Sequence, residues 1–559
     1  MDNLIYFSIW FGSIFLSAQL LVLCTLHKPL SSTERNRAKT CIFFKSSFSS
    51  LGRFHRHSFV SCLGVESKYL SHVFIYSQSF SPSASFSRRS RWKWLDWLTA
   101  FYLPAHDGPN QVGTITLELP FPEPYSTYTL SSQMRLLKPS NEPALKLTNS
   151  LITIFYPTDS LPKRFQSSSR LKWITLAQIN GYLRFINLKS WKRWLALPFG
   201  LISLLLTKLP TQAAPSIALQ SESGRIERRR LLLFCHGLTG SRTCYSQLCG
   251  QLAARGYVVA ALEHRDGSAA HSLANINSGT NKLVVQVPYI NMTDLTQETR
   301  PEDDFSARAY QLELRTIELL GASKLLAKFA DPNGWSTIRD ANLRTRGSAG
   351  WSGDDGSKWD QQEWVRFASA VDWKHDVIVG GHSFGAATAL ASARHPDRPA
   401  HWSKLLLYDP WLEPIPYWPN SAPKLKAQSD IKLPCLVINS PGFTDWKDHF
   451  QYLFEIINKG DPTSWLVTLG GISHTSFSDL PVIAETLFRF FKVTKLDSQQ
   501  AIDLITQATI QFDESDGQEI NVIELCGSRM GDRNRKEVRF AQAIPAGQFF
   551  VHIKPGTKG

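Results

Sequence analysis

The sequence predicts an α/β fold in which a largely parallel central sheet is flanked by helices. Three observations lead there. From residue 230 onward, short apolar runs alternate with helical patterns, and that alternation implies βαβ units. Inside this region, "HDVIVGGHSFGAATAL" (375–390) passes from β-branched residues through a glycine-flanked serine into a small-residue helix. After the last apolar run, "SWLVTLGGISHTSFSD" (464–479) places a histidine beyond a double glycine.

The elements follow in chain order. Residues 4–26, "LIYFSIWFGSIFLSAQLLVLCTL", form an uncharged apolar run long enough to cross a bilayer. It reads either as an anchor or as a secretory signal, although Asp2 stands where a signal has a basic n-region. Lys28, Arg35, Arg37 and Lys39 follow it, which as an anchor would keep the remainder cytoplasmic. Residues 31–95 are rich in Ser and Arg without periodicity and read as a disordered linker. A catalytic domain is expected over 96–495. "GTITLEL" (113–119) alternates like an edge strand, and "LKLTNSLITIFYPT" (145–158) reads as a strand pair broken by a turn. Residues 191–208, "WKRWLALPFGLISLLLTK", read either as a buried helix or as one lying in a membrane interface with Trp191 and Trp194 at headgroup depth. Strands then read at 230–236 and 257–264, with the helical "YSQLCGQLAARG" between them, and a helix reads at 308–328. Residues 331–366, rich in Trp, Gly and Asp, are expected to be an inserted surface loop. "HDVIVGG", "KLLLYD", "CLVINS" and "SWLVTLGG" read as further strands, and 496–559 as a C-terminal extension without a clear pattern.

Composition narrows the function. With 43% hydrophobic and 19% charged residues the 559-residue chain has a globular balance and length enough for a large core. The net charge of +14 favours anionic partners. Much of the excess lies in stretches such as "SRRSRWKW", outside any nucleic-acid-binding module, so an anionic lipid surface is the better expectation and nucleic acid is not expected. Cys24, Cys41, Cys62, Cys235, Cys244, Cys249, Cys435 and Cys526 contain no C-x-x-C pair, so neither a zinc site nor a dense disulfide framework is indicated. Asn291-Met-Thr is a glycosylation acceptor pattern, though such triplets are common.

Gly381-His382-Ser383-Phe384-Gly385 matches G-x-S-x-G, the nucleophile elbow of the α/β-hydrolase fold. The pattern alone is weak, arising by chance in roughly one chain in five of this length. The strand before it and the Ala-rich helix after it carry the assignment. The glycines let the chain reverse with no Cβ in the way, and the helix aims its N-terminal dipole at Ser383. A serine hydroxyl needs a base, and the base needs an acid to orient it. In this fold the histidine comes last, which points to His474. For the acid, Asp409 ends "KLLLYD" and Asp445 ends "CLVINSPGFTD", one strand later. Spacing alone leaves both open. The oxyanion donors are expected at the backbone N–H of Phe384 and, from the loop "FCHGLTGSR", at that of Leu238, while His236 reads either as a side chain of the site or, the better expectation, as packing beneath it.

"LLLFCHGLTGSRTCYSQLCGQLAARGYVVAALEHRDGSA" together with "GGHSFGAATAL", "LYDPWLEPI" and "GGISHTSFSDL" resembles the platelet-activating-factor acetylhydrolase family of the plasma and intracellular type II kind. The resemblance covers roughly 100–490, including "LPAHDGPNQVG", and "EHRDGSA" is its most specific element. It implies a calcium-independent serine esterase, needing no cofactor or metal, that removes a short or oxidised acyl group from the sn-2 position of a phospholipid. It also implies Ser383 as nucleophile, Asp409 rather than Asp445 as acid, His474 as base, Leu238 and Phe384 as oxyanion donors, and 191–208 as an interfacial lipid-binding helix. A membrane or lipoprotein surface is then the expected partner, reached through 191–208 and 4–26, with the protein either anchored or entering the secretory pathway. The family's "GHSFGG" reads "GHSFGA" here, and the Ser/Arg-rich arm, 331–366 and the tail have no counterpart in it. The rival readings are a carboxylesterase or lipase acting on other esters, and a catalytically silent hydrolase fold serving as a membrane-tethered binding protein.

Overall fold

The computed structural model describes residues 103–121, 135–136, 147, 149–159, 171–186, 209, 228–278, 281–301, 303–344, 356–415, 431–516, 520–521 and 540–555, all within one compact unit. The apolar run 4–26, the linker 31–95 and the helix expected at 191–208 lie outside the described residues. No helix among the described residues is long and apolar enough to cross a membrane.

The strands in chain order are β1 (Gln111–Pro120), β2 (Asn149–Thr158), β3 (Arg229–Cys235), β4 (Val258–Glu263), β5 (His271–Ser278), β6 (Asn281–Pro288), β7 (Val371–Asp372), β8 (Val377–His382), β9 (Trp402–Tyr408), β10 (Cys435–Asn439), β11 (Trp465–Leu469) and β12 (Phe549–Ile553). Nine of them lie side by side in the order β1-β2-β4-β3-β8-β9-β10-β11-β12, with β7 pairing to β3 and β5–β6 forming a separate hairpin. From β4 to β11 every pairing is parallel. The pairings β1–β2, β2–β4 and β11–β12 are antiparallel. The order and the parallel centre are those of the α/β-hydrolase fold.

Helices cover both faces: α1 (Leu176–Phe185), α2 (Ser246–Ala254), α3 (Asp304–Ala327), α4 (Gly334–Ala341), α5 (Gln361–Ser369), α6 (Phe384–Ala393), α7 (Lys447–Lys459) and α8 (Ser498–Glu514). Successive side chains of a strand point to opposite faces. Accordingly, Leu231, Leu233 and Cys235 of β3 join one core with α3, α5, α6 and α7, while Leu232 and Phe234 join the other with α2 and α8. Strands buried on both sides have no polar alternation to show, which is why these segments read as continuous apolar runs. Each such Leu or Phe, taken fully out of water, stabilises the fold by about 1.5–3 kcal/mol.

Three expectations need correction and one element was not expected. The described part of 145–158 holds one strand and no break within it: β2 runs unbroken from Asn149, whose side-chain amide donates to the Asn275 carbonyl at 2.6 Å. Residues 271–288 carry the hairpin β5–β6, which has no counterpart in the sequence reading. The stretch 331–366 is no surface loop in its described parts, which hold α4 and the start of α5 with Trp335, Trp359 and Trp364 buried. Trp359 and Trp364 meet edge to face at 5.1 Å, and Gly356, at φ +73°, passes so close that a Cβ there would lie 2.6 Å from the Trp364 ring. The catalytic domain does not end at 495 either. Ile502, Ile505 and Phe512 of α8 are fully buried in the second core, and β12 covers the free edge of β11.

Replacing Trp364 by Ala should lower unfolding stability by about 3–5 kcal/mol, as for other buried large aromatics. Val365→Ala, next to it but exposed, should change it by no more than about 0.5 kcal/mol. Denaturant unfolding of the two variants checks this, and equal small effects would return 331–366 to the surface.

Candidate active site

Ser383 sits between the end of β8 and the start of α6 with φ +57° and ψ −119°, a conformation that L-residues avoid. Its flanking glycines are required by contact. A Cβ on Gly385 would lie 2.0 Å from the carbonyl oxygen of Cys235, and one on Gly381 would lie 2.6 Å from the same atom. Helix α6 therefore starts pressed against the end of β3, and the serine is pushed out at the rim of the sheet. Ser383 N–H donates to the Tyr408 carbonyl at 2.9 Å, and its own carbonyl accepts from Trp411 and Ala387 at 3.1 Å, so the turn is held on both sides.

His474 opens a short 3₁₀ turn after β11 and reaches back to the serine. Its Nε2 is 3.0 Å from Ser383 Oγ and its Nδ1 is 3.0 Å from Asp409 Oδ2. The ring is stacked on Phe443, with centroids 4.5 Å apart and planes 8° off parallel, and lies 4.4 Å from the His382 ring on its other contact. Asp409 follows β9 with φ +43° and is fully buried. Ser440 N–H donates to its Oδ1 and Ser440 Oγ–H to its Oδ2, each at 2.6 Å. A buried carboxylate with three such donors is held in place and kept an acceptor.

The loop after β3 brings the second group of backbone amides. A Cβ on Gly237 would lie 3.1 Å from Ser383 Cβ, so this loop runs alongside Ser383. Gly237 N–H donates to Tyr245 Oη at 3.0 Å, which leaves the phenol proton for His382 Nδ1 at 2.8 Å. Burial and the neighbouring His474 push His382 well below the usual histidine range, so it stays a neutral acceptor. The amide of Phe384, first residue of α6, has no acceptor within its helix. Among the described residues, neither it nor the amide of Leu238 donates to another protein group.

The site opens into a cavity of about 960 Å³. Trp173, Phe185, Trp411 and Trp446 give it an aromatic wall, and Lys447, Lys492 and Lys495 stand at its lining as cations. His382, Asp409 and His474 each bring one ligand atom within 4.8 Å of the others, a spacing that would suit a divalent cation. However, His474 has both nitrogens and Asp409 both oxygens engaged with protein partners, so the donor set reads as a proton path rather than a metal site.

The structure thus brings together Ser383, His474 and Asp409, with Leu238 on the loop beside Gly237 and Phe384 at the helix start. Between the two candidate acids it puts Asp409 on His474, while Asp445 lines the cavity and accepts from the Ala541 amide at 2.9 Å. His236 is buried beneath, as expected. Ser440, Phe443 and Tyr245 are additions that no short motif marks, although "CLVINSPGF" does end a strand one position beyond that of Asp409.

A family model described as "Platelet-activating factor acetylhydrolase, isoform II" matches residues 102–521, three quarters of the sequence. The chain belongs to this family. A platelet-activating factor acetylhydrolase of Gallus gallus is 25% identical over 296 residues, covering 51% of this chain and 61% of that protein. One of Bos taurus is 25% identical over 293 residues, covering 51% of this chain and 56% of its own length. These matches therefore span well under two thirds of the two curated relatives. A Schizosaccharomyces pombe protein named "Putative phospholipase A2" is 26% identical over 444 residues, covering 73% of this chain and 91% of that one. Among solved structures, a ferulic acid esterase from Streptomyces cinnamoneus is similar with a TM-score of 0.43 and 16% identity, over 74% of this chain and 93% of that chain.

The hydrogen bond from His474 to Asp409 should give a low-field imidazole N–H signal in a one-dimensional proton spectrum. Asp409→Asn should remove that signal and Asp445→Asn should keep it. The reverse pattern would exchange the two carboxylates.

Proposed function

We propose that the protein is a serine esterase that removes a short or oxidised acyl group from the sn-2 position of a phospholipid, through an acyl-enzyme and without calcium. One observation carries this reading: Ser383, His474 and Asp409 form an unbroken hydrogen-bonded chain at a cavity wall, beside two backbone amides without acceptors among the described residues. His474 Nε2 takes the proton of Ser383 as Oγ attacks the ester carbonyl. Asp409 holds Nδ1–H and stabilises the imidazolium that forms. The amides of Leu238 and Phe384 receive the oxyanion. The C–O bond to the glycerol breaks, the lyso-phospholipid oxygen leaves with the proton from His474, and water activated by the same ring releases the acid. No step calls for a cation beyond these groups.

The cavity supports a phospholipid over a neutral ester. Its three lysines, Lys447, Lys492 and Lys495, make no ion pair among the described residues and outnumber its two carboxylates beyond the proton path, Glu413, held by the Trp411 indole at 2.6 Å, and Asp445, held by the Ala541 amide. Cations left over at an aromatic cavity complement a phosphodiester joined to apolar chains. The short-acyl part of the reading comes from the names of the chicken and bovine relatives. The fission yeast relative, matched over most of its length, supports a second reading with longer sn-2 chains. We also propose a lipid surface as the partner, from the net charge of +14 and the apolar stretches 4–26 and 191–208.

Purified protein should hydrolyse phospholipids with sn-2 acetyl chains faster than those with long chains and faster than simple acetate esters, unaffected by EDTA. Ser383→Ala should lose all measurable turnover and all labelling by a fluorophosphonate while melting at the same temperature. Preference for long chains would select the phospholipase reading, and a folded wild type that resists labelling would sink both.

The acid limb of the pH profile should follow one proton. The mechanism needs a neutral base at His474, because an imidazolium cannot accept from Ser383. Burial holds His236, His264 and His382 well below 6.5 and His449 at about 3, so these stay neutral and add nothing. Log kcat/KM should therefore drop with a slope of one, and a slope of two would reveal a second titrating base.

A further inference from the structure

Glu263-His264-Arg265-Asp266-Gly267-Ser268 takes no part in the proton path, yet it packs behind the amide-bearing loop. Thr239 N–H donates to the Ser268 carbonyl at 2.8 Å, Arg242 N–H to Glu263 Oε2 at 2.9 Å, and His264 N–H to His236 Nε2 at 3.1 Å. Because His236 Nε2 accepts, its Nδ1 carries the proton and donates to the Gly237 carbonyl at 2.8 Å. Beneath these groups lies Arg315, contributed by α3 and fully buried. Its Nη2 donates to the His236 carbonyl at 2.8 Å, and its Nε is 3.6 Å from Asp266 Oδ2. On the other side its Nη1 donates to Thr388 Oγ at 3.3 Å, and that hydroxyl donates to the Phe384 carbonyl at 2.8 Å. The guanidinium also lies over the Phe384 ring, 4.5 Å from its centroid.

We propose that Arg315 is the positioning residue of the oxyanion donors, one planar cation that fixes the loop of Leu238 and the helix start of Phe384 relative to each other. This rests on the esterase reading above. The two donors come from separate segments, 238 and 384, that share no hydrogen-bonded strand at that point. Arg315 reaches both at once, through the carbonyl two residues before Leu238 and through the ring of Phe384 itself, with the Thr388 hydroxyl relaying it to the Phe384 carbonyl. A lysine could keep the charge beside Asp266 but has no fork to span the two arms. Donor placement matters most when negative charge develops on the substrate oxygen, so the residue acts on the transition state rather than on substrate binding.

The test uses the full chain and a short-chain ester. Arg315→Lys should lower kcat about 10- to 100-fold with KM within about twofold. Affinity for an alkyl boronic acid, which forms an anionic tetrahedral adduct with the serine, should weaken by the same factor. Thr388→Val, a gentler break in the Phe384 arm, should lower kcat by a smaller factor with KM again unmoved. Melting temperatures show which variants are folded. If Arg315→Lys does not fold, Thr388→Val decides. A folded Arg315→Lys with wild-type kcat, or a rise in KM alone, would overturn the proposal. So would Thr388→Val at wild-type kcat. A wild type that no fluorophosphonate labels defeats the esterase reading instead, before Arg315 is in question.

Discussion

The constraint on which the site depends is steric: the first turn of α6 rests on the carbonyl end of β3, where Gly381 and Gly385 leave room only for hydrogen atoms. Everything at the site is indexed to that contact. It sets the left-handed turn of Ser383 and brings the loop of Gly237 within touching distance of the nucleophile. It also lets the carboxyl ends of β9 and β11 supply an acid and a base from one side of the sheet. A methyl group at Gly385 would have to displace backbone rather than a flexible side chain, and the parallel ladder on either side of β3 gives the backbone nowhere to go.

Around this contact the protein buries an unusual amount of charge. Arg265 pairs with Glu118 at 2.7 Å with both side chains fully buried, and Arg242 approaches Glu263 at 3.4 Å, while His264, kept neutral by burial, adds a hydrogen bond to Glu318 at 2.7 Å. Such pairs gain little net stability over apolar residues of the same size, but removing one member typically costs about 3–5 kcal/mol. Their placement explains their presence. Arg265–Glu118 and His264–Glu318 join the segment beside the donor loop to β1 and α3, and Arg242–Glu263 ties the donor loop to the end of β4. The charges act as a frame that rigidly holds an irregular loop, which apolar packing would position less sharply.

How much was legible in the sequence follows from how local each signal is. The central strands could be read because burial on both faces leaves runs such as "RLLLFCH", and the elbow because its glycines and serine lie within five residues. Leu238 and His474 could be placed because the fold dictates their order along the chain. Asp409 against Asp445 needed either the resemblance or the coordinates, since both follow strands at plausible spacing. Ser440, Phe443 and Arg315 act across 31, 31 and 79 residues on Asp409, His474 and His236, and no periodicity records such pairs. Trp335, Trp359 and Trp364 misled because glycine and aspartate around them imitate a loop, while their rings are buried in the core. In α8 the buried faces alternate with polar residues, and β12 is only five residues long, so neither announces itself.

The strand β12 does more than close an edge. Gln548 accepts from Gly470 N–H at 2.8 Å, and Gly547 donates to the Gly470 carbonyl at 3.0 Å, so this late segment clamps the double glycine that leads to His474. Vectorial synthesis therefore makes Ser383, Asp409 and His474 well before the clasp that steadies the last of them. A nascent chain emerging residue by residue carries a bare β11 edge and a loosely tethered imidazole until 547–553 arrive and the clasp can close.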